Sequence, residues 1–443
     1  MTSLTMLTGS VVSLAGRLAA TRHHPDEPSV GQVICKDVTY AQVLGNGRPW
    51  FCGAGRDLVA RVASDAAVGE AFERYGLRDL DASRTLSVSM SELRAQRRRY
   101  LDPSELAPAH GTNPVGSATA FHPPPGADTA VRWMTAVDLV SGEDVLVPAQ
   151  YCIFVEPHCG TPGCLTCAGD PGEPQWCAAT SQGTAAGTNP AEACLSALLE
   201  LFERDAFMLM WYHRLRFPYL RVDRHQRLGQ RISAVFDPAR IDVRFIDLTE
   251  VHGVPVVVGV ARGRLHDREV LVVSAGSALD PETAVWKAAR ELAGLYPLAR
   301  HDVLRGGARI EPEDILTLTD RLRYYTNPAH RHELDFLFEQ RESIAVPKAQ
   351  AVPGGTPAKE LRKLTRRLHR RGIHTYAVDL TPAGMPPDLH SFKVVSPELI
   401  PLDNDHQNRH VNRTRLITEP TDRGWRPDRP TLGQLNHAPH PFP

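Results

Sequence analysis

Two rhythms of apolar residues run through the chain. Strict alternation at Val131–Leu139 and Asp144–Phe154, on either side of Ser141-Gly142, predicts a β-hairpin. Val243–Leu248, Val254–Ala261 and Thr375–Leu380 read as further strands. Between them a spacing of three and four predicts helices over Leu58–Tyr75, Pro190 to about Arg214, and Asp280–Leu295, with a basic helix closing Ala351–Arg371. The second helix announces its own start. Thr188-Asn189-Pro190-Ala191-Glu192 offers an N-cap, a proline at the first helical position and an acid at the third. Asp247-Leu248-Thr249 and Asp379-Leu380-Thr381 close their β runs with the same letters. The pattern predicts an α/β fold built from worn, internally duplicated subdomains.

Elsewhere the rhythm fades. Residues 1–45 read as a variable extension ahead of a main domain at 46–443. Gly45–Gly55 reads as a Gly-rich loop, residues 105–128 as a surface loop, 158–177 as a Cys-rich loop, and 405–443 as an irregular polar tail.

Composition narrows the partners. The chain has 443 residues, 42% hydrophobic and 23% charged, with a formal net charge of -1, which leaves no basic excess to bind nucleic acid. Its 50 basic residues are 44 Arg and six Lys. No apolar run is long enough to span a membrane, the amino terminus lacks a basic signal region, and eight cysteines make no disulfide framework. A reducing cytoplasm is the expected setting.

The candidate chemistry lies in a repeated acidic phrase. Glu70-Ala-Phe72-Glu73-Arg74 returns as Glu200-Leu-Phe202-Glu203-Arg204, and Ala288-Ala-Arg-Glu291 keeps the first acid alone. Glutamates one helical turn apart repel by a few tenths of a kcal/mol, so a repeated pair implies a cation. With Glu192 placed at zero on a helical wheel, Glu203 falls at about 20° and Glu200 at about 80°. The three share a face beside the apolar stripe, while Asp205 lies elsewhere. Oxygen ligands so grouped suit Mg2+ shared with substrate phosphates. Glu192 also fits a capping box, and Arg74 and Arg204 could meet phosphate oxygens or pair with their neighbouring glutamates. There is no P-loop, no dinucleotide glycine motif and no H-E-x-x-H.

These residues resemble a known family. Ala179-Thr-Ser181-Gln-Gly183-Thr-Ala-Ala-Gly187 followed by Glu192, Glu200, Glu203, Arg204 and Asp205 is similar to the central signature of the YcaO superfamily. Glu70-x-x-Glu73-Arg74 resembles its earlier acidic motif and Glu291 its later one, over residues 50–443. The final Pro439-His-Pro441-Phe-Pro443 is similar to the P-x-P-x-P end of the azoline-forming cyclodehydratases. The resemblance implies a YcaO-type α/β fold with duplicated subdomains around a central nucleotide site. It also implies ATP-dependent conversion of Cys, Ser or Thr in a ribosomal precursor peptide to thiazolines or oxazolines. ATP would meet Ser181, Glu192, Glu200, Glu203, Arg204, Arg74 and Glu291. Mg2+ would meet Glu70, Glu73, Glu192, Glu200 and Glu203, and the carboxylate of Pro443 would serve as general base. Ala66, Gln182 and Leu295 stand where the family usually has Ser, Asn and Gln. Alternatives are another YcaO reaction (thioamide or macrocyclic amidine formation) and a non-catalytic peptide-binding scaffold.

Residues 1–45 are too few for a recruitment module, so a separate leader-peptide-binding partner, E1-like or ThiF-like, is expected. A flavin-dependent azoline dehydrogenase and a homodimer are further partners by analogy. Outside the family signature, Cys159, Cys164, Cys167 and Cys177 could hold a tetrahedral structural Zn2+, stay free in the loop, or bind an iron–sulfur centre. His437 and His440 read as exposed tail residues.

Overall fold

The computed structural model describes residues 17–20, 24–36, 51–77, 82–109, 121–153, 173–178, 180–266, 268–307, 309–339, 341–348 and 355–442. Three sheets organise them. The first joins β1 (Arg17–Ala20), β2 (Gly31–Lys36) and β3 (Phe51–Asp57), all antiparallel. The second contains β4 (Thr85–Ser89), β5 (Ala130–Asp138), β6 (Asp144–Pro148), β7 (Thr184–Gly187), β13 (Tyr376–Asp379) and β14 (His390–Val395). Its order is β4-β5-β13-β14-β7, with β6 paired to β5. The third runs β11-β10-β9-β8-β12, from β8 (Pro218–Arg221), β9 (Ile241–Asp247), β10 (Val256–Leu265), β11 (Arg268–Ser277) and β12 (Arg341–Ala345). The helices that matter to the site are α1 (Ala60–Gly76), α2 (Pro190–His213), α3 (Pro281–Leu304), α4 (Pro357–His369) and α5 (Thr414–Asp422).

The hairpin expected at Ser141-Gly142 is present, and Gly142 takes the positive φ of 77° that the turn needs. Its second strand stops at Pro148, where one turn of helix, Ala149–Cys152, takes over. The Gly45–Gly55 reading changes more. Residues 51–57 form β3, and its glycines serve a helix rather than a loop. A Cβ on Gly53 would sit 2.2 Å from the Ala67 carbonyl oxygen, and one on Gly55 would sit 1.7 Å from that of Ala63. Small residues thus let α1 lie directly on its strand. The third sheet repeats the device, for a Cβ on Gly276 would stand 2.4 Å from the Ala284 carbonyl oxygen under α3. Residues 17–20 and 31–36, read as part of an extension, pair with β3 in one sheet. α3 also runs past the expected Leu295 to Leu304, through Pro297.

α2 is the axis of the molecule. From Ala193 to His213 nearly every residue is buried, including Phe202, Phe207 and Trp211. Its capping is as read: the Asn189 side chain accepts from the Glu192 N–H, with Pro190 at the first position. Residues 405–442 are more ordered than expected, since they supply α5 and then lie buried along α2 from Pro439 to Phe442.

Candidate active site

Each of three helices follows a strand and carries a glutamate ten residues past its first residue. These are Glu70 on α1 after β3, Glu200 on α2 after β7, and Glu291 on α3 after β11. Three residues on, the first two units have Glu73 and Glu203, while the third has Gly294. Arg56 fills the place of that missing acid. A Cβ on Gly294 would fall 1.8 Å from Arg56 Nε, and Arg56 Nη1 donates to Glu291 Oε2 at 2.7 Å.

The acids are tied to the scaffold before any ligand arrives. Arg74 Nη2 meets Glu70 Oε1 at 2.5 Å, and Arg204 Nη2 meets Glu200 Oε1 at 3.2 Å, so the two copies share the same intrahelical pair. Glu70 Oε2 accepts the Ala54 N–H of β3 at 2.7 Å. Glu73 Oε1 accepts the Ala186 N–H of β7 at 2.9 Å, which locks the first unit onto the strand that feeds the second.

Their electrostatics show how close the units stand. Burial pushes the Glu73 carboxyl up to about 8, with Glu70 and Glu200 raising it further against the Ala186 N–H and Arg74. Burial also raises Glu203, with Glu200 and Glu291 adding to it against Arg204 and Lys287. Acids from all three helices therefore crowd one region where burial outweighs the cations beside them. Sequence reasoning missed two cations here. Lys287 on α3 is held below its ordinary value by burial while Glu203, Glu200 and Glu291 pull it up, and its Nζ donates to the Ser277 carbonyl at 2.9 Å. Lys393 on β14, 1% exposed, is lowered to about 8 by burial and feels Glu200; its Nζ donates to the carbonyls of Thr180 and Gln182. In a chain with six lysines, those two stood out by scarcity alone.

The remaining candidates fall in different places. The Ser181 carbonyl accepts the Thr184 N–H at 3.0 Å in a turn that needs Gly183 at a φ of 71°. Gln182 clamps Leu402 in both directions through its amide, at 2.7 and 3.1 Å. Glu192 accepts the N–H and the hydroxyl of Thr188 at 2.9 and 2.5 Å, a capping role. Pro443 lies outside the described residues. Its neighbour Phe442 packs on Phe207, ring centroids 5.0 Å apart, and lies 4.3 Å from the Arg204 guanidinium. Trp211 Nε1 donates to the Ala438 carbonyl at 3.1 Å, so the tail climbs α2 from residue 211 toward residue 204 and the acids. His440, expected exposed, is 2% exposed, because it packs on Phe207 and pairs with the Asp403 carbonyl.

These donors fit a metal-bound polyphosphate. Glu73 is kept protonation-prone by burial, with Glu70 and Glu200 adding like charge that a divalent cation would neutralise. Arg204 Nε is buried without a hydrogen-bond partner, as a donor for an anion would be, while its Nη1 faces Glu203 at 3.3 Å. Among the described residues no three of His, Cys, Asp or Glu enclose an ion by themselves, so a cation here would need further ligands from what it binds.

Residues 54–400 match the family model described as YcaO cyclodehydratase, ATP- and Mg2+-binding. The chain belongs to the YcaO family. An uncharacterized protein of Methanothermobacter thermautotrophicus is 26% identical over 366 residues, 81% of this YcaO chain and 84% of its relative. A heterocyclase solved in complex with substrate and cofactor superposes with a TM-score of 0.75 at 20% identity, covering 99% of this chain and 56% of that one. The YcaO chain thus spans little more than half the length of that heterocyclase. The YcaO of Methanopyrus kandleri bound with AMPPCP and Mg2+ gives a TM-score of 0.59 at 20% identity, with 89% of each chain covered. No helix among the described residues is long and apolar enough to cross a membrane.

The structural zinc expected of the cysteine cluster finds no support. Cys159, Cys164 and Cys167 lie outside the described residues. Cys177 is buried, and among the described residues no group of three or more His, Cys, Asp or Glu is placed to hold a metal ion.

Proposed function

We propose that the chain is an ATP-dependent peptide cyclodehydratase that converts Cys, Ser or Thr residues of a ribosomal precursor peptide into thiazolines or oxazolines. The observation that carries this reading is the crowding of Glu70, Glu73, Glu200, Glu203 and Glu291 from three helices, with Glu73 and Glu203 both raised by burial and by one another's neighbours. ATP with Mg2+ would supply the phosphoryl group that turns an amide oxygen into a leaving group. Glu70, Glu73, Glu200 and Glu203 would hold the metal, which takes one or two carboxylates and fills its shell with phosphate oxygens. Glu192 would join them on leaving Thr188. Arg204, through its unpartnered Nε, and Arg74 would neutralise charge on the phosphates. Ser181 and Glu291 would complete the nucleotide site. The tail supports a role for the Pro443 carboxylate as the base that takes the proton from the attacking side chain, because Phe442 already rests against Arg204.

Recruitment of the precursor would fall to a separate E1-like or ThiF-like partner, and any oxidation to the aromatic ring to a flavin-dependent dehydrogenase. The test is incubation with precursor, partner and Mg-ATP, read by mass spectrometry. One water should be lost per ring, and an unchanged precursor mass with a competent partner would refute the reading. Adding a single Gly after Pro443 should abolish that loss while leaving thermal unfolding unchanged.

A further inference from the structure

α4 carries a second concentration of charge, opposite in sign to the acidic site. Leu361, Leu364, Thr365 and Leu368 are buried. At about 100° per residue, Lys359, Arg362, Lys363, Arg366 and Arg370 fall within one arc of about 100° on the other side. All five are exposed, and Arg370 keeps helical backbone angles as the C-cap. Lys363 has Glu360 at 3.6 Å. Among the described residues no carboxylate lies within 4.0 Å of Arg362, Arg366 or Arg370. The helix dipole favours cations in the last turn but opposes Lys359, Arg362 and Lys363 in the first half. Like charges four apart add a penalty of a few tenths of a kcal/mol per pair. The stripe is therefore costly to the isolated helix.

Near the start of the same helix, on its buried side with Leu361, opens a recess of about 660 Å³ lined mainly by Met134, Val137, Leu139, Cys194 and Phe392. Val137 is 41% exposed there. Arg84 and Asp379 also line it, with Arg84 donating to the carbonyls of Asp379 and Thr381. A cationic stripe adjoining an apolar recess fits a polymer of acidic groups with one large apolar side chain.

This chain does not supply that polymer to itself or to a second copy, since nowhere does it carry three acids at a uniform spacing of two or of four residues. A lipid surface would ask for large apolar side chains along the arc, and α4 shows none there. A single nucleic-acid strand would ask for a series of stacking rings, and Phe392 is the one aromatic residue in the recess. Acidic side chains four apart on a helix, or two apart on a strand, repeat at about 6–7 Å, as do Arg362, Arg366 and Arg370. We propose that α4 and this recess form a docking surface for an acidic segment of a separate protein, seated by one apolar anchor. The proposal goes beyond the ring-forming reading and does not depend on it.

Fluorescence anisotropy on the full chain tests it, using a labelled peptide of Glu and Ser with a central Leu. The peptide should bind, more weakly as salt rises. Arg362→Glu with Arg366→Glu should weaken it by about tenfold or more. Val137→Glu, or Ser for Leu in the probe, should weaken it several-fold. Mg-ATP stabilisation should be unchanged in all these variants. Absence of binding, indifference to the charge reversal, or indifference to the anchor overturns the proposal. So does tighter binding of a single-stranded DNA of equal charge or of phosphatidylserine vesicles. A chain that forms rings but ignores the probe refutes the docking surface alone, and one that binds the probe but forms no ring refutes the ring chemistry alone.

Discussion

Glu203 and Asp205 are two residues apart on α2, and both are buried, at 9% and 0% exposure. They nonetheless titrate in opposite directions. Burial drives Glu203 up, and Glu200 and Glu291 add to it. Burial presses on Asp205 as well, yet Arg415, His252 and the Ile400 N–H hold it below its ordinary value, at contacts of 2.9, 2.8 and 3.0 Å. Asp205 has all its partners from the chain and binds α2 to the carboxy-terminal third. Glu203 has Arg204 at 3.3 Å, and its two positive neighbours, Arg204 and Lys287, are offset by Glu200 and Glu291 while burial drives it up. A buried carboxylate that the fold completes is architecture; one that the fold leaves short is a place for an external cation.

That contrast can be broken by mutation. Asp205→Ala should cost about 3–5 kcal/mol in denaturant unfolding, because buried Arg415 keeps only Glu419, while His252 and the Ile400 N–H lose their acceptor. Glu203→Gln should leave stability unchanged or raise it, while phosphate release from ATP falls by about 100-fold or more. If the two variants lose equal stability, the distinction fails. Ligand linkage comes next. Mg-ATP at about 100 times its Kd should stabilise the native chain by about 2.7 kcal/mol. Glu73→Gln should shrink that gain in thermal unfolding, which a purely structural Glu73 would not do.

pH separates the two regions most finely, by at most about 1.4 kcal/mol per pH unit per group. The folded value of Glu73, about 8, lies above the ordinary 4.5. The ligand-free fold therefore binds more protons than the unfolded chain across that window, and stability falls as pH rises through it before levelling off. His252 works the other way, since burial lowers it from 6.5 to about 4. Its contribution is complete above 6.5 and is lost as pH falls toward 4. Urea midpoints measured from pH 4 to 9 should show both limbs, and Glu73→Gln should flatten the alkaline one.

Much of this was legible in the residues. The repeated Glu-x-x-Glu-Arg phrase and the 3.6-residue rhythm around it located α1, α2 and their acids, because helical periodicity survives in long elements. β3 was lost to its glycines. A glycine that admits a helix at van der Waals range looks the same in a sequence as one that makes a loop. β1 and β2 were too short, at four and six residues, for alternation to register. Lys287 and Lys393 belong to no motif and gain meaning through burial beside Glu200. The burial of residues 438–442 depended on the aromatic side of α2, which no local pattern in the tail could report.

The three acid-bearing helices come from residues 60–76, 190–213 and 281–304, far apart along the chain. Their mutual repulsion cannot be felt until they meet, so it weighs on the closing stage of folding, when distant segments finally assemble. Divalent salt in a refolding buffer should accordingly hasten that last step and leave the early formation of local hairpins untouched.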